Sequence, residues 1–166
     1  MESATLCGRF NERNIMKLVL CAGTRRVKGY MHHDVVALTG IDFVCDLRDI
    51  GLHLANNLCE RIEFTHALEH FPTKEIVDIL KKVHGLLREG GELYIEVPNF
   101  EWHAKLVLNE GRDRDAVYYA FGGQEDEYDF HKTAFTVKIL QEDLESAGFK
   151  DIVIHNQSSI IATAKK

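Results

Sequence analysis

The sequence lacks the features that mark a membrane or secreted protein. It has no apolar run of membrane-spanning length, and its N-terminus lacks the pattern of a signal peptide. None of its cysteines are spaced as CxxC, and three of the four lie in or beside apolar runs, which predicts small buried thiols in a reducing compartment. The cysteines are Cys7, Cys21, Cys45 and Cys59. We therefore expect a cytoplasmic protein without membrane contact.

An excess of basic residues is also missing. The formal net charge is -6, and binding to nucleic acid regardless of sequence requires clustered Lys and Arg. Nucleic acid is therefore an unfavoured partner, although Arg25, Arg26 and Lys28 could form a local basic patch. The sequence has no internal repeats or low-complexity segments, and it gives no indication of oligomeric state.

What is present is the composition of one ordinary globular domain. The chain has 166 residues, of which 45% are hydrophobic and 28% charged. Residues 1–15 have no clear periodicity and predict an N-terminal extension. The remaining residues, 16–166, predict a single domain.

Short apolar runs followed by polar residues predict the strands, and helical periodicity predicts the helices between them. A helix begins at Thr73 and is expected to end at Gly90-Gly91, a short helix covers Trp102–Asn109, and a last helix runs from Thr136 to Ala147. The segment Glu110 to Ala134 is polar and predicts a long irregular loop. The predicted strands are Lys17–Cys21, Tyr30–Asp34, Ile41–Asp46, Arg61–Phe64, Glu92–Val97, Asp151–His155 and Ser159–Ala164. This order predicts an α/β fold with a mostly parallel sheet and an antiparallel C-terminal hairpin at one edge.

The end of the first predicted strand is the strongest functional signal. The small turn Ala22-Gly23-Thr24 follows it, and the second strand ends on Asp34. Such a turn lets a ligand approach the backbone, and the acid can accept hydrogen bonds from a ribose diol. A plain β-turn is the other interpretation. No G-x-G-x-x-G opens a helix after the strand, which argues against a nicotinamide-dependent oxidoreductase.

The motifs, in their order, resemble the class I S-adenosylmethionine-dependent methyltransferases, in particular small, single-domain, type 11-like members whose first strand reads like Leu-x-Leu-Gly-Cys-Gly. The resemblance implies a Rossmann-like methyltransferase fold with helices on both faces of the sheet, and S-adenosylmethionine as cofactor. One departure is that Cys21-Ala22-Gly23 retains a single glycine. The matching stretches are LVLCAGT, GYMHHD, DFVCDLRD, FTHALEHF, LLREGGELYIEVPNF, FGGQEDEYDFHK and LESAGFKDI.

The resemblance also implies roles for individual residues. Asp34 would bind the ribose, and Asp46 with Leu47 would border the adenine. Thr65 and His66 would border the methionine part and the transferred methyl. The turn Cys21, Ala22 and Gly23 would offer backbone groups to the methionine part.

For the chemistry, we predict His131 as a base, with His66 beside the methyl, and residues 110–135 as a lid over the acceptor. A surface histidine beside Asp126, Glu127 and Asp129 is the other interpretation of His131. The acceptor would be an oxygen or nitrogen of a small molecule or glycan. The altered glycine turn also allows a second hypothesis, a non-catalytic domain that binds S-adenosylmethionine or S-adenosylhomocysteine.

Two histidine motifs suggest metals. His66 to His70 fits H-x-x-E-H, a zinc-protease pattern, but it needs a third ligand from elsewhere. The methyltransferase resemblance explains the same residues with no metal. In His32-His33-Asp34, neighbouring side chains on a strand point to opposite faces and cannot converge. The sequence therefore predicts no metal site.

Overall fold

The computed structural model describes residues 15–166. The predicted N-terminal extension, residues 1–15, falls outside the described residues except for Ile15. Among the described residues, no helix has the length and apolar character needed to cross a membrane.

Within residues 15–166, seven strands form one sheet in the order β3-β2-β1-β4-β5-β7-β6. Every pairing among β1 to β5 is parallel, whereas β7 runs antiparallel to both β5 and β6. The predicted mostly parallel sheet with an antiparallel C-terminal edge hairpin is confirmed. The strands are β1 (Met16–Leu20), β2 (Met31–Asp34), β3 (Phe43–Val44), β4 (Cys59–Thr65), β5 (Leu87–Pro98), β6 (Lys150–Asn156) and β7 (Ser159–Lys165).

Four α-helices accompany the sheet in the described part of the chain: α1 (Ile76–Leu86), α2 (Phe100–Glu110), α3 (Asp113–Phe121) and α4 (Val137–Ser146). Helices α1 and α4 contact each other and bury apolar residues against one face of the sheet. Phe64 of β4, Leu80 of α1 and Leu140 of α4 belong to this core and are fully buried. Alternation along β4 explains the choice of face, because Ile62 and Phe64 point the same way.

The opposite face is polar. On this face Arg61 forms ion pairs with Glu63 and Glu92, and its guanidinium lies 5.9 Å from the centre of the Tyr94 ring. The sequence predicted helices on both faces of the sheet, and in the structure α1 and α4 both pack on the apolar face. The β1–β2 and β2–β3 connections carry no helix, because they are shorter than the crossover of about a dozen residues that a helix requires.

Two further boundaries correct the sequence predictions. Helix α1 ends at Leu86, and Gly90-Gly91 lie within β5 instead of ending the helix. A Cβ at Gly91 would lie 2.8 Å from the carbonyl oxygen of Arg88 and 3.0 Å from that of Cys59. The glycine therefore permits close approach of the backbones. The segment Glu110 to Ala134, predicted as irregular, contains α3.

Helices α2 and α4 each begin at a side chain that caps the helix. The side chain of Asn99 accepts a hydrogen bond from the backbone N–H of Trp102 and begins α2. Thr136 accepts one from Ile139 and begins α4, as predicted. Between these two caps, α2 and α3 pack on each other and bring the 110–135 segment to the edge of the sheet where the parallel strands end.

Candidate functional site

A cleft of about 740 Å³ lies at the carboxyl ends of β1, β2 and β4. This is the edge where open α/β sheets bind ligands, and the volume suits a cofactor-sized molecule. The residues that line it are Cys21, Gly23, His33, Asp34, Val35, Val36, Leu38, Asp46, Leu47, Arg48, His66, Ala67, His70, Phe71, Tyr118, Glu125, Asp126, Glu127, Tyr128, Asp129 and Lys132.

The turn after β1 is fastened to β2 by three hydrogen bonds. The backbone N–H of Cys21 donates to Nδ1 of His33 (3.3 Å), and that of Ala22 donates to the His33 carbonyl (2.9 Å). The N–H of Gly23 donates to Oδ2 of Asp34 at 2.7 Å. Cys21 and Gly23 both have left-handed backbones, with φ of 48° and 52°. The turn is therefore held in its shape by the β2 residues beside it.

His33 is fully buried and neutral. Its Nε2–H donates to the Cys45 carbonyl at 3.0 Å, so Nδ1 is left as the acceptor for Cys21. Burial lowers the pKa of His33, because a charged imidazole would lose its hydration. This ring links β1, β2 and the residue that follows β3, and it supports the floor of the cleft.

The Asp34 carboxylate accepts two hydrogen bonds and can accept more. Oδ1 accepts from the N–H of Val36 at 2.9 Å, while Oδ2 accepts from Gly23. Each carboxylate oxygen can accept a second hydrogen bond, and Asp34 lines the cleft with 8% of its surface exposed. The carboxylate both shapes the turn and presents acceptors to a ligand.

The glycine turn has room for a cofactor. A Cβ at Gly23 would meet no atom within 4 Å, so the backbone there faces open space. Burial raises the pKa of the Cys21 thiol far above its ordinary value, with a further contribution from Asp34. The side chain that replaces the first glycine is therefore uncharged as well as small, and these residues fit S-adenosylmethionine.

Asp46 and Leu47 begin a 3₁₀ helix, Leu47–Leu52, beside the cleft. The Asp46 carboxylate accepts from the backbone N–H of Arg48 at 2.8 Å and from its guanidinium at 2.9 Å. Arg48 also donates to Glu75 at 2.7 Å, and its guanidinium lies 5.3 Å from the centre of the Phe71 ring. Leu47 is buried and contributes an apolar wall. Both predicted residues thus lie in the cleft.

Thr65 and His66, both predicted to border the methionine part, differ in their position relative to the cleft. His66 lines the cleft, with a left-handed backbone (φ 48°) and a side chain that is 49% exposed. Thr65 does not line it. His66 lies 3.6 Å from Glu69 and 3.3 Å from Glu96, and these carboxylates, Glu69 foremost, raise its pKa.

His131 is neither in the cleft lining nor on the surface. Its side chain is 11% exposed, and its Nδ1–H donates to the carbonyl of Tyr119 at 2.9 Å. Its Nε2 lies 4.0 Å from Oε1 of Glu69, and its ring meets the edge of His70 with centroids 4.9 Å apart. The alternative interpretation, a solvated histidine beside Asp126 and Asp129, is wrong. The segment that carries His131 packs down over the residues after β4.

The predicted lid contributes one wall. Tyr118, Lys132 and the acidic residues 125–129 line the cleft. The N–H groups of Lys132 and Thr133 donate to the Glu69 carbonyl at 2.8 and 3.1 Å, which ties this wall to the short 3₁₀ helix Leu68–His70 after β4. Sequence reasoning missed Val36 and Leu38, which line the cleft just beyond Asp34 although more than a third of each is exposed. The sequence signal that could have identified them is their apolar character just after Asp34, the acid that ends β2.

No protein-family model matches the sequence, and no curated protein matches it significantly. Solved structures do match. One is a SAM-dependent methyltransferase from Archaeoglobus fulgidus, with 14% identity over 92% of this chain and 86% of that chain and a TM-score of 0.67. A second, from Methanosarcina mazei, has 15% identity over 100% of this chain and 99% of that chain, with a TM-score of 0.66.

A third match has ligands bound. It is 1,6-didemethyltoxoflavin-N1-methyltransferase from Burkholderia thailandensis, with 1,6-didemethyltoxoflavin and S-adenosylhomocysteine; it has 15% identity over 98% of this chain and 74% of that chain, with a TM-score of 0.60. This chain therefore has the fold of the class I S-adenosylmethionine-dependent methyltransferases, which confirms the resemblance at the level of the fold.

Proposed function

We propose that this protein is an S-adenosylmethionine-dependent methyltransferase that acts on an oxygen or nitrogen of a small-molecule or glycan acceptor. The observation that carries the proposal is the turn Cys21-Ala22-Gly23, fastened to Asp34 at the mouth of a cleft of cofactor size. A turn that is merely a loop would not need a buried carboxylate with unused acceptor capacity. The fold shared with known methyltransferases supports the same conclusion.

Each end of the cofactor has a group suited to it. Asp34 would accept hydrogen bonds from the ribose hydroxyls, and the open backbone at Gly23 would lie against the methionine part. Leu47, with the half-exposed apolar residues Val36 and Leu38, would cover the adenine, and Asp46 stands beside it. S-adenosylmethionine brings an activated methyl group, so the chain has to supply mainly alignment.

His66 is the better candidate for handling the acceptor proton. It is the histidine after β4 that combines a cleft position with a half-exposed ring, whereas His131 is turned toward Glu69. Glu96, 3.3 Å from Nε2 of His66, can stabilise the imidazolium that forms when the ring takes a proton. For His131, predicted as the base, we propose instead a supporting role in the wall, because it contacts Glu69 and does not line the cleft.

The acceptor would enter beside the acidic segment. The carboxylates of Glu125, Asp126, Glu127 and Asp129 line the cleft, as do Lys132 and Tyr118. This concentration of negative charge favours an acceptor without phosphate or carboxylate groups, such as an amine or a neutral polyol. The residues 110–135 would thus select the acceptor as well as cover it.

Calorimetric titration with S-adenosylmethionine and S-adenosylhomocysteine is the first test. We expect dissociation constants in the micromolar range, about -8 kcal/mol, which weaken in an Asp34→Asn variant but not in Asp42→Asn. Asp42 accepts from the N–H of His32 at 2.8 Å and lies outside the cleft lining, so it is the matched control. Absence of binding to both ligands would contradict the proposal.

The second candidate function, a binding domain without catalysis, is favoured by the cysteine at the first position of the turn. The two are separated by incubating the protein with methyl-labelled S-adenosylmethionine and panels of amines and of hydroxyl compounds. Label transfer that is lost in His66→Ala, while S-adenosylhomocysteine binding is retained, supports the enzyme. Tight cofactor binding without transfer to any panel member supports the binding domain.

A further inference from the structure

Glu69 is a buried carboxylate whose oxygens lack hydrogen-bond partners. It is 1% exposed, and neither Oε1 nor Oε2 has a partner among the described residues. Its backbone carbonyl, by contrast, accepts from both Lys132 and Thr133, so the residue is firmly positioned. An ionised carboxylate removed from water and left unpaired costs several kcal/mol, and a natural fold compensates such a group with a cation or a proton.

The groups nearest to these oxygens are imidazoles. In the described part of the chain, the ion-pair contacts of Glu69 within 4.0 Å are with His66 at 3.6 Å and His131 at 4.0 Å. No lysine or arginine is among them. The ligand atoms of Glu69, His70 and His131 all lie within 4.8 Å of one another. One carboxylate and two histidines are thus gathered around one point.

Backbone carbonyls fix the orientation of both rings. Nδ1–H of His70 donates to the carbonyl of Phe130 at 3.2 Å, and Nδ1–H of His131 donates to that of Tyr119 at 2.9 Å. Each ring therefore keeps its proton on Nδ1 and presents a lone pair at Nε2. An imidazole whose far nitrogen is bound to a carbonyl is the usual arrangement of a metal-ligating histidine.

We propose that Glu69, His70 and His131 bind a divalent transition-metal ion of the zinc type. Two imidazoles and one carboxylate form a known ligand set for such ions, and nitrogen ligands select against magnesium and calcium. Ligand atoms about 2.1 Å from a tetrahedral ion lie about 3.4 Å apart. The present separations, up to 4.8 Å, would have to shorten to that value when the ion binds.

The fold supplies the ligand that the sequence pattern lacked. His66 to His70 matched a zinc motif but had no third ligand, and the sequence therefore predicted no metal. The loop after α3 brings in His131, and the hydrogen bonds from Lys132 and Thr133 to Glu69 hold it there. His70 lines the cleft, so a fourth coordination position would open toward it. Metal binding by these three residues does not depend on methyl transfer.

The test is calorimetric titration of the full chain, stripped of metal with a chelator and then dialysed, with zinc chloride and with magnesium chloride. We expect one equivalent of zinc at micromolar affinity or tighter and no comparable magnesium binding. Glu69→Gln and His131→Asn should each weaken zinc binding by about 100-fold or more. His155→Asn is the control, since His155 is exposed on edge strand β6.

Thermal unfolding gives an independent readout. Zinc should raise the melting temperature of the wild type and of His155→Asn, and should leave that of Glu69→Gln unchanged. Without metal, Glu69→Gln should melt at or above the wild-type temperature, because a buried carboxylate whose oxygens accept no hydrogen bond is gone. The proposal is overturned if Glu69→Gln binds zinc as tightly as the wild type, or if His155→Asn loses as much zinc affinity as Glu69→Gln does. Cofactor titrations are not part of either readout, so failure of the methyltransferase proposal would be seen separately.

Discussion

Asp34 is expected to act on both stability and ligand binding, and two substitutions separate these effects. Asp34→Ala removes the acceptor of the N–H groups of Gly23 and Val36. Asp34→Asn keeps one acceptor oxygen but places an NH₂ against one of the two donors. Both variants alter the acceptors offered to a ribose, whereas the alanine alone leaves both backbone donors without a partner.

The magnitudes follow from burial. An unsatisfied buried donor costs about 1–3 kcal/mol, and the N–H of Val36 lies on an exposed residue where water can replace the carboxylate. We therefore expect Asp34→Ala to lose about 2 kcal/mol of unfolding free energy and Asp34→Asn about 1 kcal/mol. In melting temperature these losses are about 4–8 °C and about 2–4 °C.

Urea unfolding measures the stability, and calorimetry with S-adenosylhomocysteine at a temperature where both variants are folded measures the binding. A hydrogen bond to a charged acceptor contributes about 1.5–3 kcal/mol, so binding to Asp34→Asn should weaken about 10- to 100-fold. Asp42→Asn should lose less stability, because Asp42 is exposed and water can replace its carboxylate, and it should lose no affinity. The reasoning is refuted if Asp34→Ala is as stable as the wild type, or if Asp34→Asn binds normally.

Three other measurements address the same region. Gly23→Ala should destabilise the protein by about 1–2 kcal/mol in urea unfolding, because the backbone there is left-handed; its methyl group, which meets no protein atom, should also weaken cofactor binding in calorimetry. His33 has a lowered pKa in the folded state, so the unfolded chain binds the proton first and stability is lost as pH falls through the ordinary range near 6.5. His33→Asn should have a lower free energy of unfolding than the wild type at pH 7.5, and it should lose less of that free energy between pH 7.5 and pH 5.5. An equal loss in the two proteins would contradict this. Burial raises the pKa of Cys45 to about 11, so its alkylation by iodoacetamide, followed by peptide mass analysis, should be slow at pH 8 and accelerate toward pH 11.

The sheet could be predicted because its signals are local. Leu18 lies in a short apolar run and Phe64 in a stretch where apolar and charged residues alternate, both patterns predict strands, and both residues are fully buried. Thr136 caps α4 through a hydrogen bond that spans three residues, which a sequence pattern can contain. Gly91 misled the prediction because its reason is non-local: the approach of Cys59 from another strand requires a glycine there, whereas the sequence suggested a helix end.

The sequence could place residues at the proposed site only where they end or follow strands. Asp34 and Asp46 end predicted strands and His66 lies two residues beyond one, and the topology brings such positions to one edge of the sheet. His131 lies 62 residues beyond Glu69 in a polar segment, and its position depends on α3 and on backbone hydrogen bonds to the Glu69 carbonyl. No local pattern encodes that contact, so the sequence could not distinguish a cleft base from a surface histidine.

The missing helix after β1 bears on what the cleft can bind. Dinucleotide-binding folds place a pyrophosphate at the N-terminus of the helix that follows the first strand, where backbone N–H groups and the helix dipole attract negative charge. Here the β1–β2 connection has no helix, and the Gly23 N–H donates instead to the carboxylate of Asp34. Asp46 and the acidic residues 125–129 add further negative charge around the cleft. A phosphate would meet carboxylates where it needs donors, whereas a ligand with a sulfonium cation and a ribose diol would meet acceptors. The same local geometry that disfavours a dinucleotide therefore supports S-adenosylmethionine, and we expect NAD and ATP to bind far more weakly than S-adenosylhomocysteine in competition calorimetry.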